Sequence, residues 1–405
     1  MNTAESFSTG KLILITSLLF SVGPLTVDLS LPGLAAIQSD IGVRNLRVEL
    51  TLSLVFLGMA LSQLLFGTVA DRLGRRLPLI VAMCVYVVGS AVAMTARSMP
   101  LFAGARLLQA LAYGVAVVLA RSVVVDVCDE RRSAKVFSTA LMVMSLAGVL
   151  APALGGQILT YANWRWLPAV MAVFGTVCVL AIAILLPETL PSARRSQNVD
   201  IKVLTLYGQV LSNTRFVGFS LIGACAVASQ FTYSTGAPAV LLEHFTMNPV
   251  ITGLWLSAIA LSMALASQLN ALLLRWRDPE WVMSRAVLAS LVCGIALTIT
   301  TLTGYGATPG FLISLFGLSA TIGLTMPNAM AAAMTSVGPR AGAASALIGV
   351  MQFTLGSIGS AAVGAIHYSG GELMAVVILA FTAFGFLISA RRRPGAVAPS
   401  AAHQS

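Results

Sequence analysis

The chain has 405 residues, 58% hydrophobic and only 9% charged, where a soluble chain would carry about 25% charge. That composition excludes a soluble globular domain and predicts a polytopic membrane protein, for which length is no guide to domain count. A net charge of +10 does not point to a nucleic-acid partner, because the basic residues fall in short loops between apolar runs.

Five cysteines, Cys84, Cys128, Cys178, Cys225 and Cys293, show no C-x-x-C spacing, so neither a disulfide framework nor a zinc site is expected. The three histidines, His244, His367 and His403, lie near or beyond the ends of apolar runs. No metal cluster, nucleophile–base pair or phosphate-binding loop appears, which argues against an enzyme and against any bound cofactor. The N-terminus lacks a basic n-region and an A-x-A cleavage site, so the first apolar run is expected to stay as a span.

Runs of about 20 apolar residues predict an all-α membrane protein of twelve spans. They are 12–35, 48–69, 77–96, 101–125, 136–159 and 164–186, then 216–241, 250–274, 282–303, 309–334, 341–366 and 372–390. One long polar stretch divides them into six and six. The expected organisation is an N-terminal bundle over 1–187, a cytoplasmic linker over 188–215, a C-terminal bundle over 216–392 and a disordered tail over 393–405. Eighteen of the 24 basic residues lie on one side of these spans, and Arg44, Arg47, Arg97 and Arg165 on the other. That asymmetry places both termini in the cytoplasm, and the two-by-six pattern suggests internal repeats.

In the first span, Asp28 is the only one of fourteen carboxylates lying well inside an apolar run. An aspartate at that depth costs roughly 2.5–3.5 kcal/mol on insertion scales, so it is a functional candidate by default. Gly23 and Pro24 before it, and Pro32 and Gly33 after it, predict an irregular helix.

The loop after the second span reads Gly67-Thr-Val-Ala-Asp71-Arg72-Leu-Gly74-Arg75-Arg76. Gly74 permits a left-handed turn, and Asp71, unfavourable at a helix C-terminus, requires a partner. This run resembles the G-x-x-x-D-R-x-G-R-R/K signature of the major facilitator superfamily at every fixed position. The resemblance implies that Asp71 latches the two halves together, with Arg121 at the end of the fourth span and the helix opening at Ala341-Gly342.

The fourth span carries Arg106, Gln109 and Tyr113 at i, i+3 and i+7, hence on one face. That face must look into a cavity, because arginine facing lipid is costly. Arg106 enters roughly 8–9 Å from the outer side at 1.5 Å per residue, close to the level expected for Asp28, so an Asp28–Arg106 pair is feasible. The alternative is an Arg106 that snorkels to the interface. The R-x-x-Q pattern resembles a superfamily signature linked to proton coupling, with Ala110 where glycine is usual.

The fifth span reads Gly148-Val-Leu-Ala-Pro152-Ala-Leu-Gly155-Gly156. Gly148, Pro152 and Gly155 share a face that permits close helix approach. The run resembles the motif of the superfamily's antiporters, with Ala151 replacing one glycine. In the eleventh span Gly342, Gly349 and Gly356 recur every seven residues, a small-residue seam suited to a moving interface or to static packing.

Further stretches are similar to the Bcr/CflA drug-resistance group of bacterial proton-coupled exporters. They are Thr232–Glu243, Asn270, Pro327-Asn328 and Ala341–Leu347 with Gln352. Ser30 and Ala35 replace that group's tyrosine and second proline after the aspartate, and Val125 replaces an arginine. The resemblance implies a monomeric antiporter in the bacterial inner membrane that exports small amphipathic drugs in exchange for protons, with the proton gradient as its energy source. Asp28 and Arg106 are the expected proton-coupling residues. The expected substrate contacts are Asp28, Gln109, Tyr113, Gln230, Tyr233 and Asn328. A metabolite exporter or proton symporter of the same fold is the alternative.

Overall fold

The computed structural model describes residues 8–42, 48–189, 202–337, 341–365 and 371–391. The side chains of 64–73, among them Gly67, Asp71 and Arg72, and those of Ala341 and Gly342 lie outside the described residues, as does the tail.

The chain is all-helical. The first crossing is built from α1 (Thr9–Val27), a 3-10 segment (Asp28–Gly33) and α2 (Leu34–Ile41). The helices α3 (Glu49–Leu73), α4 (Arg76–Thr95), α5 (Met99–Val127), α6 (Glu130–Tyr161) and α7 (Trp166–Leu185) follow. After α8 (Lys202–Leu211) come α9 (Thr214–Ala239), extended by a π-turn (Val240–His244), α10 (Pro249–Leu273), α11 (Pro279–Thr303), α12 (Ala307–Thr335), α13 (Ala341–Ala365) and α14 (Glu372–Arg391). Among the described residues eleven helical stretches are long and apolar enough to cross a membrane. The remaining crossing, α3, is apolar over Glu49–Gln63. Val173, Ile184 and Ile313 are exposed on the bundle, as befits a lipid-facing surface.

The ends of these helices follow from capping chemistry. Asp129 accepts from the Arg132 amide at 2.9 Å at the start of α6, and Asn248 from the Ile251 amide at 2.8 Å at the start of α10. Gly74 closes α3 with φ of 84°, a conformation costly for any residue with a Cβ.

The stretch 187–215 is more structured than a plain linker. Its segment α8 is a short helix whose Val210 packs, together with Tyr207, against Phe216 and Phe219 of α9 and Ala344 and Leu347 of α13. Ten residues are too few to register as a span, so the helix escapes a search for long apolar runs.

Burial is asymmetric along the bundle. At the end where α2 turns into α3, one continuous core joins Leu31, Leu34, Val55 and Phe56 to Tyr233, Val240, Leu256 and Phe311. At the end where α3 turns into α4, rich in arginine, two separate cores form. One is drawn from α1 and α4–α7 and the other from α8, α9 and α11–α13. Among the described residues, the first six crossings and the last six thus share one core at one end and form two separate cores at the basic end.

The seal is made by backbone approach. Gly156 of α6 lies against the Pro249 carbonyl of α10, and Gly253 of α10 against the Pro152 carbonyl of α6. Beside them the Ala153 amide donates to Ser257 Oγ at 3.0 Å. On the other flank Ser357 of α13 donates to the Ser53 carbonyl of α3 at 2.9 Å. A methyl group at Gly156 or Gly253 would press into a backbone carbonyl that cannot swing aside. Gly253→Ala should therefore cost about 1–3 kcal/mol, the usual penalty of overpacking, and lower the thermal unfolding temperature of the purified protein. An unchanged unfolding temperature would show that α6 and α10 part readily here.

Candidate proton and substrate site

The site begins with two prolines. In a regular helix the Pro32 ring would collide with the carbonyl four residues earlier, which is that of Asp28. The chain answers by tightening into the 3-10 segment that Asp28 opens. This segment packs against α6 and α7 and also against α9 and α10, so Asp28 is placed where the two sets of crossings meet. Gly148 faces the carboxylate: a Cβ there would stand 3.8 Å from Asp28 Oδ2, an ordinary van der Waals contact. Gly155, two turns along, lies against the Leu29 carbonyl.

Asp28 is half-buried, and its carboxylate has neither a hydrogen-bond donor nor a cation as partner among the described residues. The feasible ion pair with Arg106 is not formed among the described residues. The Arg106 side chain is buried, so it does not snorkel either, and its guanidinium is consumed elsewhere. It donates to the Thr26 carbonyl at 2.6 Å, to Ser30 Oγ at 3.3 Å, to Gln109 Oε1 at 3.2 Å and toward Met171 Sδ at 3.8 Å. The first two of these acceptors flank Asp28 in the chain, one a backbone carbonyl and one a side-chain hydroxyl, so Arg106 holds the segment that presents the carboxylate. Thr26 is held from its other side by Tyr86, hydroxyl to hydroxyl at 2.7 Å.

Gln109 is fully buried. Its amide donates to Ser90 Oγ of α4 at 2.7 Å and lies 3.7 Å from Met171 Sδ of α7. Contrary to the expectation that it lines a cavity, it braces Arg106 from within the first set of crossings, because Gly89 leaves room for its side chain there. Tyr113 lies within electrostatic reach of the carboxylate. Its ring fills the space left by Gly23.

From the second set of crossings, Tyr233 also lies within electrostatic reach of Asp28. Its hydroxyl pairs with Ser319 Oγ at 3.3 Å. Gln230, one turn earlier, is half-buried and without a hydrogen bond among the described residues. Asn328 stands apart: it lies nine residues beyond Ser319 on α12, roughly 13 Å along the helix. There its amide donates to Asn270 Oδ1 at 2.7 Å. Tyr233 and Asn328 are therefore not one contact cluster. The sequence gives no warning of an aromatic stack across the seam. In it Phe231 lies between Phe56 of α3, at 3.9 Å between ring centres, and Phe353 of α13, at 5.8 Å.

At the basic end, Arg75 pairs with Asp126 at 2.9 Å. The carboxylate of Glu188 accepts from the backbone amides of Arg75 at 2.8 Å and Arg76 at 3.4 Å. An acidic group at the N-terminus of α4 suits both its unpaired amides and its dipole. Arg76 reaches the Ala183 carbonyl, and Arg121 stands 5.9 Å over the Phe20 ring. Glu188 opens the predicted linker and Asp126 follows the fourth predicted span, and no local pattern in the sequence ties either to Arg75.

The family model for the major facilitator superfamily matches residues 16–362. The chain belongs to the major facilitator superfamily. Its twelve-crossing architecture agrees with solved members. It superposes on the partially occluded inward-open xylose transporter XylE from Escherichia coli with a TM-score of 0.75 at 13% identity, covering 95% of this chain and 98% of that one. A bacterial homologue of the lysosomal transporter Spinster, in an inward-facing conformation, gives a TM-score of 0.71 at 16% identity, over 96% and 98% of the two chains. Among curated relatives, this superfamily member is 30% identical to the uncharacterised transporter YdgK of Bacillus subtilis, over 88% of this chain and 90% of that protein. It is 26% identical to the multidrug resistance protein MdtL of Escherichia coli O157:H7, over 94% and 95%. It is a multi-pass membrane transporter and not an enzyme.

Proposed function

We propose that this transporter exports small amphipathic drugs from the bacterial cytoplasm across the inner membrane, as a monomer, in exchange for protons. The observation that carries the proposal is the placement of Asp28. It is a half-buried carboxylate at the meeting of the two sets of crossings with no committed partner. A group so placed holds a proton in one state and surrenders it when substrate or a wetter surrounding arrives. Tyr113 of the first set of crossings and Tyr233 of the second lie within its electrostatic reach. On the same helix as Tyr233 stand the half-buried Gln230 and Phe231, the latter stacked on Phe353. Such a lining suits lipophilic compounds with a few polar groups. The multidrug relative named above and the Bcr/CflA-like motifs support the drug reading.

In this account Arg106 is a positioning residue that holds the segment around Asp28 through the Thr26 carbonyl and the Ser30 hydroxyl, with Gln109 as its brace. The core at the α2–α3 end is the closed gate, and the independent packing at the basic end is the open one, facing the cytoplasm by the loop-charge bias. Asp71, Gly74, Arg75 and Arg121 belong to the element that closes that end in the opposite state.

Two measurements test the proposal. Expression in a pump-deficient bacterium should raise tolerance to some members of a panel of lipophilic antibiotics and dyes. Everted membrane vesicles should then accumulate those compounds when their lumen is acidified. Accumulation that needs the opposite gradient would make the protein a symporter, and a panel with no protected compound would remove the drug reading.

A further inference from the structure

A second place on the molecule has the chemistry of a binding site, and the transport reading uses none of it. The turn between α10 and α11 borders an open, shallow cavity of about 280 Å3 lined by Leu274, Arg275, Trp276, Arg277, Asp278 and Trp281. The Arg277 guanidinium stands 4.9 Å from the centre of the Trp281 ring, and that of Arg285, from the second turn of α11, stands 5.6 Å from it. Of the two carboxylates close by in the chain, Glu280 is engaged by Arg215 at 3.1 Å. Asp278 lines the cavity itself but makes no side-chain cap with α11. Three arginines against one uncommitted carboxylate leave the turn positive, and the N-terminus of the 25-residue α11 adds the positive end of its dipole.

We infer that this turn binds the phosphodiester headgroup of an anionic phospholipid. The guanidinium fork matches phosphate oxygens in a way that an ammonium does not. The choice of lipid over a soluble phosphate comes from the rim. Trp276 is 69% exposed, and Leu272 and Leu274 are exposed on the same turn. This apolar surface, at the end of a membrane-crossing helix, suits an acyl chain and is of no use to a hydrated ion. Tryptophan beside arginine at a helix end is also the pairing that favours the headgroup level of a bilayer.

The test uses the full-length protein in phosphatidylcholine nanodiscs in which a minor fraction of the lipid is replaced by brominated phosphatidylglycerol or, in parallel, by brominated phosphatidylcholine. Bromine quenches nearby tryptophan, and the contribution of the turn is isolated as the difference between the wild type and W276F/W281F. The expected result is stronger quenching by the glycerol lipid, with roughly fivefold of that preference lost per arginine removed in R275Q/R277Q. If that double variant loses its fold, R285Q should show the same loss at one step. Equal quenching by the two lipids, or an unchanged preference in the arginine variants, would overturn the inference. Relief of quenching by millimolar inorganic phosphate would assign the turn to a soluble anion and overturn the lipid source.

Discussion

Asp28→Asn is expected to abolish gradient-driven accumulation in everted vesicles, to the level of vesicles lacking the protein, while the purified protein unfolds at an unchanged or slightly higher temperature. The reason for the split lies in the geometry. Asp28 makes no hydrogen bond or ion pair among the described residues, so the isosteric amide removes no contact. It does remove the only carboxylate well inside an apolar run of the sequence, and with it the group able to exchange a proton there. It also spares the protein the cost of a charge in a dry span. Asp28→Glu keeps the titrating group but moves it by one methylene from the position that the 3-10 segment sets. Partial transport is expected from it. Full gradient-driven transport by Asp28→Asn would remove the residue from the mechanism.

Arg106→Met is expected to cost both transport and stability. The guanidinium supplies hydrogen bonds to the Thr26 carbonyl, Ser30 and Gln109 from a fully buried position. Ser30 keeps its bond to the Val27 carbonyl, but stranding the Thr26 and Gln109 oxygens costs about 1–3 kcal/mol each, so a loss of about 2–6 kcal/mol is expected in thermal or denaturant unfolding. Arg106→Lys retains the charge but cannot fork between the Thr26 carbonyl and Gln109, and an intermediate loss is expected. A comparison with Asp28→Asn separates two roles for the arginine. Were the two residues an ion pair, removing both charges would be milder than removing Arg106 alone. Since Arg106 grips backbone instead, Asp28→Asn should not rescue Arg106→Met. Rescue in the double variant would reinstate the ion pair.

The crossings are legible in the sequence because the bilayer imposes a length and a composition together. The seventh span, read as 216–241, differs from α9 and its π-turn by a few residues at each end. Asp28 is legible for the same reason, as an expense no lipid-facing position bears. What Arg106 holds is less so. Depth along a helix follows from counting residues, but the direction of a long side chain depends on which acceptors its neighbours present. Thr26 and Ser30, polar positions two residues either side of Asp28, carry the signal, and it favours them over the carboxylate. Gln109 was misplaced for a related reason. A shared face at i and i+3 fixes its proximity to Arg106, yet whether that face meets a cavity or α4 depends on helix rotation. Glu188 illustrates the limit in distance, since a cap donated across 113 residues of chain leaves no local pattern. The separation of Tyr233 from Asn328 likewise follows from α12 running lengthwise past both levels of the bundle.

Competition between substrate and proton at Asp28 is read out by proton release on binding. Detergent-solubilised protein at weak buffering, given a compound that it protects against in cells, should release protons into solution on binding. The Asp28→Asn variant, binding the same compound, should release none. Equal release from both proteins, or no release from the wild type at saturating compound, would contradict the account.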